Sequence, residues 1–109
     1  MEPWNLSWAD TACISGMGSA DAAGKIPGDF EEEVRQALDN IGAVLKAAAM
    51  SPEHVVSVQV YLTDAATFER MNTVLQRHTS KTHGPTRTTV VVAKLVGQGH
   101  VEITVMARK

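Results

Sequence analysis

A single cysteine, Cys13, in a chain of 109 residues excludes an internal disulfide. No apolar run approaches the roughly 18 residues that a membrane span requires, and Met1-Glu2-Pro3-Trp4 offers neither the basic start nor the apolar stretch of an export signal. The expectation is a cytoplasmic protein with no membrane contact. A surplus of charge is missing as well: 10 Lys and Arg stand against 12 Asp and Glu, dispersed along the chain, for a net charge of -2. Such a balance leaves no electrostatic footprint for nucleic acid. His54, His78, His83 and His100 show neither i, i+4 spacing nor a carboxylate partner, so no metal site is expected. The glycine-containing stretch from Gly16 to Gly28 lacks a Gly-Lys-Ser/Thr sequence, which removes a phosphate loop. Cys13 lies in an apolar stretch with no His or Lys beside it and reads as a small buried hydrophobe, not a nucleophile.

What is present is the patterning of one α+β domain over residues 1–109, near the size at which a subunit interface adds needed burial. Trp4 to Trp8 and Thr11 to Ser15 read as a hairpin turning at Ala9-Asp10. Asp29, with Glu32 three residues on, predicts a capping box, and Val34, Leu38, Ile41, Leu45 and Ala48 follow at helical spacing until Ser51-Pro52. The run Glu31-Glu32-Glu33 falls in that first turn, where it favours the helix dipole and carries no chemistry. Val56, Val58, Val60 and Leu62 alternate along a strand, and Asp64 starts a second helix with Phe68, Met71 and Leu75 on its stripe. A β-branched run from Thr88 and the alternation of Val101, Ile103, Val105 and Ala107 with Glu102, Thr104 and Met106 supply two closing strands. The order ββ-α-β-α-ββ predicts a mixed sheet with both helices packed on one face. The other face would carry Tyr61, Val91, Ala93 and Met106, apolar enough to be covered by another copy of the chain.

Two residues stand out chemically. Arg87 follows Gly84-Pro85-Thr86 at the mouth of a strand, where a stiff backbone would aim a guanidinium at a small carboxylate. The alternative is a solvated surface arginine. Glu102 sits by period-two alternation on the face opposite Val101 and Ile103. If the last two strands form an antiparallel hairpin through Gly97-Gln98-Gly99, Arg87 and Glu102 are neighbours, flanking a site or forming a plain salt bridge.

Ser15-Gly16, Gly24-Lys25-Ile26-Pro27, the run from Gln36 to Ala48, Val60-Tyr61-Leu62-Thr63-Asp64, Phe68 with Met71-Asn72, Pro85-Thr86-Arg87-Thr88 and Val101-Glu102-Ile103 together resemble the RidA (YjgF) family in order and spacing, over nearly the whole chain. The resemblance implies a homotrimer of chorismate-mutase-like α+β subunits with ligand clefts between neighbours. It implies that Arg87 binds the carboxylate of a 2-imino or 2-enamino acid and that Glu102 positions the hydrolytic water, releasing ammonium and a 2-keto acid with no metal or organic cofactor. By the same resemblance Ser15 and Gly16 line the cleft, Asn72 reaches it from the second helix, and Thr89 stands where many members carry cysteine. The chain departs from the pattern at its start, where Pro3-Trp4 replaces a Gly-Pro-Tyr stretch and makes Trp4 the candidate ligand-facing aromatic. Leu75 replaces an aromatic, and Met17-Gly18-Ser19 replaces Gln-Ile/Val-Pro. A different imine substrate, or binding of small carboxylates without turnover, remain alternatives. A ribonuclease comes third, because the acidic balance gives phosphates little to hold.

Overall fold

The protein is described here by a computed structural model covering residues 6–8, 10–78 and 84–109, the first three as backbone. Its long helix, α1 (Phe30–Ala47), begins where the Asp29 side chain accepts from the Glu32 amide at 3.3 Å. The reciprocal half of the expected capping box is not built, because the Glu32 carboxylate pairs with Arg35 one turn along. Phe30, Val34, Ala37, Ile41 and Leu45 form the buried stripe. Ser51-Pro52 is not what stops this helix. The Met50 amide donates to the Leu45 carbonyl at 2.8 Å and the Ala49 amide to Lys46 at 3.0 Å, with Ala49 itself left-handed at φ 60. That pattern is a Schellman closure, and the buried pair Leu45 and Met50 supplies its apolar contact. Pro52 begins the short 3-10 turn Pro52–His54 that leads into the next strand.

Among the described residues the sheet has five strands in the order β1-β2-β5-β3-β4. Hairpin β1 (Leu6–Trp8) and β2 (Thr11–Met17) pair antiparallel as expected. β3 (Val55–Leu62) runs antiparallel to the final strand, β5 (Val101–Arg108), which also pairs with β2. β4 (Thr86–Val91) lies on the far side of β3 and parallel to it. A parallel pair cannot be joined by a tight turn and needs a crossover, here the 3-10 turn Ala65–Thr67, capped by Asp64, and α2 (Phe68–His78).

Both helices cover one sheet face, and the core lies between: Val34, Ile41 and Leu45 from α1, Met71, Val74 and Leu75 from α2, and the inward residues Ile14, Val58, Val60, Leu62, Val101 and Ile103. Each fully buried aliphatic side chain contributes about 1.5–3 kcal/mol. Val56, expected in this core, instead falls where the β3/β5 register shifts and is exposed. Among the described residues no helix is long and apolar enough to cross a membrane.

Outside the core, Glu31 joins α1 to α2 through Arg70, whose guanidinium also lies 5.3 Å from the Phe30 ring centre. The Arg70 hydrogen bonds hold the Glu31 carboxyl down from the usual 4.5 to about 2. A depressed carboxyl pKa stabilises the fold above the ordinary value and loses that contribution as pH falls from 4.5 toward 2. Solvent screens this exposed pair, so the contribution is small. Arg70→Ala should return Glu31 to the ordinary carboxylate range in an NMR titration while barely moving the thermal midpoint at neutral pH. Ala49→Gly should raise stability by about 1 kcal/mol, since only a residue without Cβ adopts left-handed φ at no steric cost, read as a higher denaturant midpoint at unchanged slope.

Candidate functional site

Arg87 and Thr89 are held by the crossover. The parallel register sets Arg87 beside Val58, Thr89 beside Val60 and Val91 beside Leu62. Paired residues share a face, so Arg87, Thr89 and Val91 lie on the helix-covered side, on the edge strand of the sheet. The start of β4 is fixed further by Thr86, whose hydroxyl donates to the Val56 carbonyl at 3.2 Å. The Arg87 guanidinium carbon stands 6.0 Å from the centre of the Phe68 ring, at the limit of cation–π range. Beside it opens a pocket of about 330 Å³, lined by Val58, Leu75, Gln76, Gly84 and Pro85. Asn72 lies one turn of α2 beyond Phe68. Its Oδ1 is buried and has no hydrogen-bond partner among the described residues, a cost of about 1–3 kcal/mol that a ligand donor or a partner surface would relieve.

Glu102 belongs to the opposite face. It is half-buried and paired with Tyr61, whose hydroxyl donates to Gln59 Oε1 at 3.0 Å. The β2/β5 ladder is irregular between Ile14 and Met17, so Ser15 and Gly16 leave the regular pleat there. Into that gap leans the Glu102 side chain: a Cβ on Gly16 would stand 2.7 Å from Glu102 Cδ. A Cβ at this position would force the carboxylate to move aside. Ser15 opens onto a shallow depression with Cys13, Ser57, Gln59, Thr104 and Met106. Cys13 is therefore half-buried on the open face, not a core residue, since it pairs with outward-facing Met106.

The last two strands do not meet the condition of pairing as a hairpin. β3 lies between β4 and β5, and Arg87 pairs with Val58 while Glu102 pairs with Tyr61, so the two residues are two strand spacings across the sheet and three residues along it, about 14 Å apart, and on opposite faces. Neither has an ion-pair partner among the described residues, which removes the plain salt bridge. Val91 and Ala93 are likewise not on the open face: Val91 pairs with Leu62, and Ala93 lies beyond the end of β4. Val90, paired with Tyr61, takes that place, and the open face mixes Tyr61, Val90 and Met106 with serine, threonine and glutamine. Trp4 lies outside the described residues. The structure thus brings Ser15, Gly16 and Glu102 together and keeps Arg87 and Thr89 apart from them.

One cluster corrects the reading of the acidic run and of the histidines. Glu33 is 3% exposed, and its carboxylate accepts from Ser19 Oγ at 2.9 Å, from the His100 amide at 2.9 Å, and lies 2.8 Å from His100 Nδ1. The available signal is its position: a glutamate between Phe30 and Val34 falls on the buried stripe. Phe68, which helical spacing assigns to the core, is in fact exposed beside Arg87.

Two packed helices on a mixed sheet, with a buried glutamate held by Ser19 and His100 and an arginine on the edge strand, define the architectural class. The family profile described as Endoribonuclease L-PSP matches residues 5–109. The bovine 2-iminobutanoate/2-iminopropanoate deaminase is 39% identical over 99 residues, 89% of this chain and 72% of that protein. RidA from an Antarctic Psychrobacter superposes with a TM-score of 0.92 at 31% identity, covering 96% of this chain and 85% of that one. Escherichia coli TdcF, solved with serine bound, gives 0.90 at 26% identity, covering 100% and 90%. The chain belongs to the RidA (YjgF) family, the L-PSP endoribonuclease family of that profile.

The approach of Glu102 to Gly16 yields a test. Gly16→Ala collides with the movable end of a side chain, not with backbone, so the fold should persist with a midpoint shift of a few degrees at most. The Glu102 carboxyl resonance should move. Gly18→Ala, which meets nothing within 4 Å, should leave it in place.

Proposed function

We propose that the protein hydrolyses reactive 2-imino and 2-enamino acids to 2-keto acids and ammonia, at sites shared between copies in a homotrimer. The observation that carries this reading is the division of the candidate residues: Arg87 and Thr89 at an open edge, Ser15, Gly16 and Glu102 on an open face, with β3 between. Neither half is a site alone. Docking the edge of one copy against the open face of the next completes it, and a cyclic arrangement repeats that contact until it closes. The deaminase name of the bovine relative supports the reaction class, and serine bound to Escherichia coli TdcF supports a small carboxylate as ligand.

In this reading Arg87 grips the substrate carboxylate with two parallel hydrogen bonds, beside the Phe68 ring. Glu102 of the neighbouring copy accepts a proton from the attacking water. Water adds to the imine carbon, and the resulting carbinolamine expels ammonia as the carbonyl forms; an enamine is first protonated at carbon to give the imine. The imine is already electrophilic, so orientation supplies most of what is needed.

Arg87→Lys should raise KM strongly, because an ammonium cannot make the planar two-point contact. Glu102→Gln should leave keto-acid affinity intact and lower kcat by about 100-fold, the range for a lost general base. Mixing is more decisive. When Arg87→Ala and Glu102→Gln chains are co-refolded in equal amounts, sites shared between subunits should recover about a quarter of wild-type turnover, since one junction in four pairs two intact residues. No recovery would place both residues in one copy's site and overturn the shared arrangement. Release of ammonia no faster than in buffer, across several imines made in situ, would remove the deaminase. Saturable keto-acid binding dependent on Arg87 would then leave a carboxylate binder, the second reading favoured by the serine-bound relative.

A further inference from the structure

We infer that Glu33 is a positioning residue: through Ser19 and His100 it fixes the gap between β2 and β5 into which Glu102 leans. The inference rests on the proposed role of Glu102 in placing the water. Ser19 is three residues past Gly16, and His100 is two residues before Glu102, so one carboxylate ties together the ends of the two strands that form the gap. The backbone ladder gives least support here, because the β2/β5 register is irregular between Ile14 and Met17. The side-chain clamp stands in for the missing pairing. It also reaches β3, since the His100 carbonyl accepts from the Thr63 amide at 3.3 Å.

The cluster is tightly built. Ser19 is 2% exposed, and a Cβ on Gly99 would stand 2.9 Å from Ser19 Oγ and 3.6 Å from Glu33 Oε1. Three protein groups are turned toward Glu33, and a buried carboxylate that lost them would meet a cost well above that of an ordinary hydrogen bond. The arrangement is not a nucleophilic triad. Ser19 donates to Glu33 and not to the His100 ring, so nothing takes a proton from its hydroxyl. What remains for Glu33 is geometry, and a misplacement of about 1 Å at a reacting group costs on the order of 100-fold in rate.

The test is a cycle of variants measured for imine turnover, keto-acid affinity by calorimetry, and thermal midpoint. Glu33→Ala should lower kcat roughly tenfold, a fraction of the full misplacement, with keto-acid affinity unchanged within about twofold because Arg87 is untouched. Glu33→Gln, which keeps an acceptor for Ser19 Oγ and the His100 amide, should recover most of that loss. In a Glu102→Gln background Glu33→Ala should cost nothing further, because the residue it positions is already disabled. A full tenfold loss persisting in that background, or equal losses of turnover and affinity, would make Glu33 a stability residue only and overturn the inference. Should Glu33→Ala fail to fold, Ser19→Ala and His100→Ala, each removing one side-chain contact, carry the same cycle with the same expected and overturning outcomes. A wild type without turnover removes the deaminase reading and this inference together, whereas an active wild type with fully active clamp variants removes this inference alone.

Discussion

The parallel pairing of β3 with β4 is the constraint on which the rest of the structure depends. Strands joined in parallel need a crossover, and α2 is that crossover, so the pairing at once creates the second helix's packing position and carries β4 to the outer edge of the sheet. With β4 outside, β5 has only the inner edge of β3 left to pair with, and it enters between β3 and β2. Glu102 thereby reaches the middle of the sheet while Arg87 reaches its rim. Register does the remainder: Arg87 pairs with core-facing Val58 and Glu102 with outward Tyr61, and a shift of one residue in either ladder would exchange faces for the whole strand.

Much of this is legible in the chain. The buried stripe of α1, the alternation of β5 and the order of elements follow from periodicities of 3.6 and 2, which local sequence encodes directly. The pairing partner of β4 is not legible, because a short β-branched strand carries no mark of parallel or antiparallel neighbours. Gly97-Gln98-Gly99 reads as well as a loop as it does as a hairpin turn. The adjacency of Arg87 and Glu102 hung on that pairing, whereas the wrong face for Val91 is a separate matter of phase along β4, where Val90 pairs with outward Tyr61. Glu102 is singled out by its alternation and Ser15 and Gly16 through resemblance, and the reason they belong together, the close approach of a carboxylate to a glycine, is visible only in three dimensions. Glu33 escapes notice because the dipole argument accounts equally well for all three glutamates, although only one lies on the buried side of the helix.

Separation of the two candidate residues has a chemical consequence. A guanidinium and a carboxylate on neighbouring strands would pair with each other, and a substrate carboxylate would have to displace that bond before it could bind. With β3 between them and opposite faces assigned, neither neutralises the other, and each keeps its hydrogen-bonding capacity for a ligand. In the proposed arrangement, the geometry that separates the two groups within one copy is therefore the geometry that leaves both available to a site formed between copies.

The same division bears on stability. Among the described residues helices cover one face only, the other presents Met106 at 44% and Val90 at 41% exposure among hydroxyl and amide side chains, and the outer edge of β4 has no strand partner. An uncovered strand edge with valines on it invites pairing with another chain. The face mixes apolar with hydroxyl and amide side chains, a balance compatible with the proposed trimer, in which an interface and a wet ligand cleft would share one patch of sheet. Ser15, Ser57, Gln59 and Thr104 supply the wet part, and Tyr61, Val90 and Met106 the dry part. In the proposed trimer, covering the apolar residues and completing the cleft are consequently one event, so binding chemistry and assembly would be lost together by any change that uncovers this face.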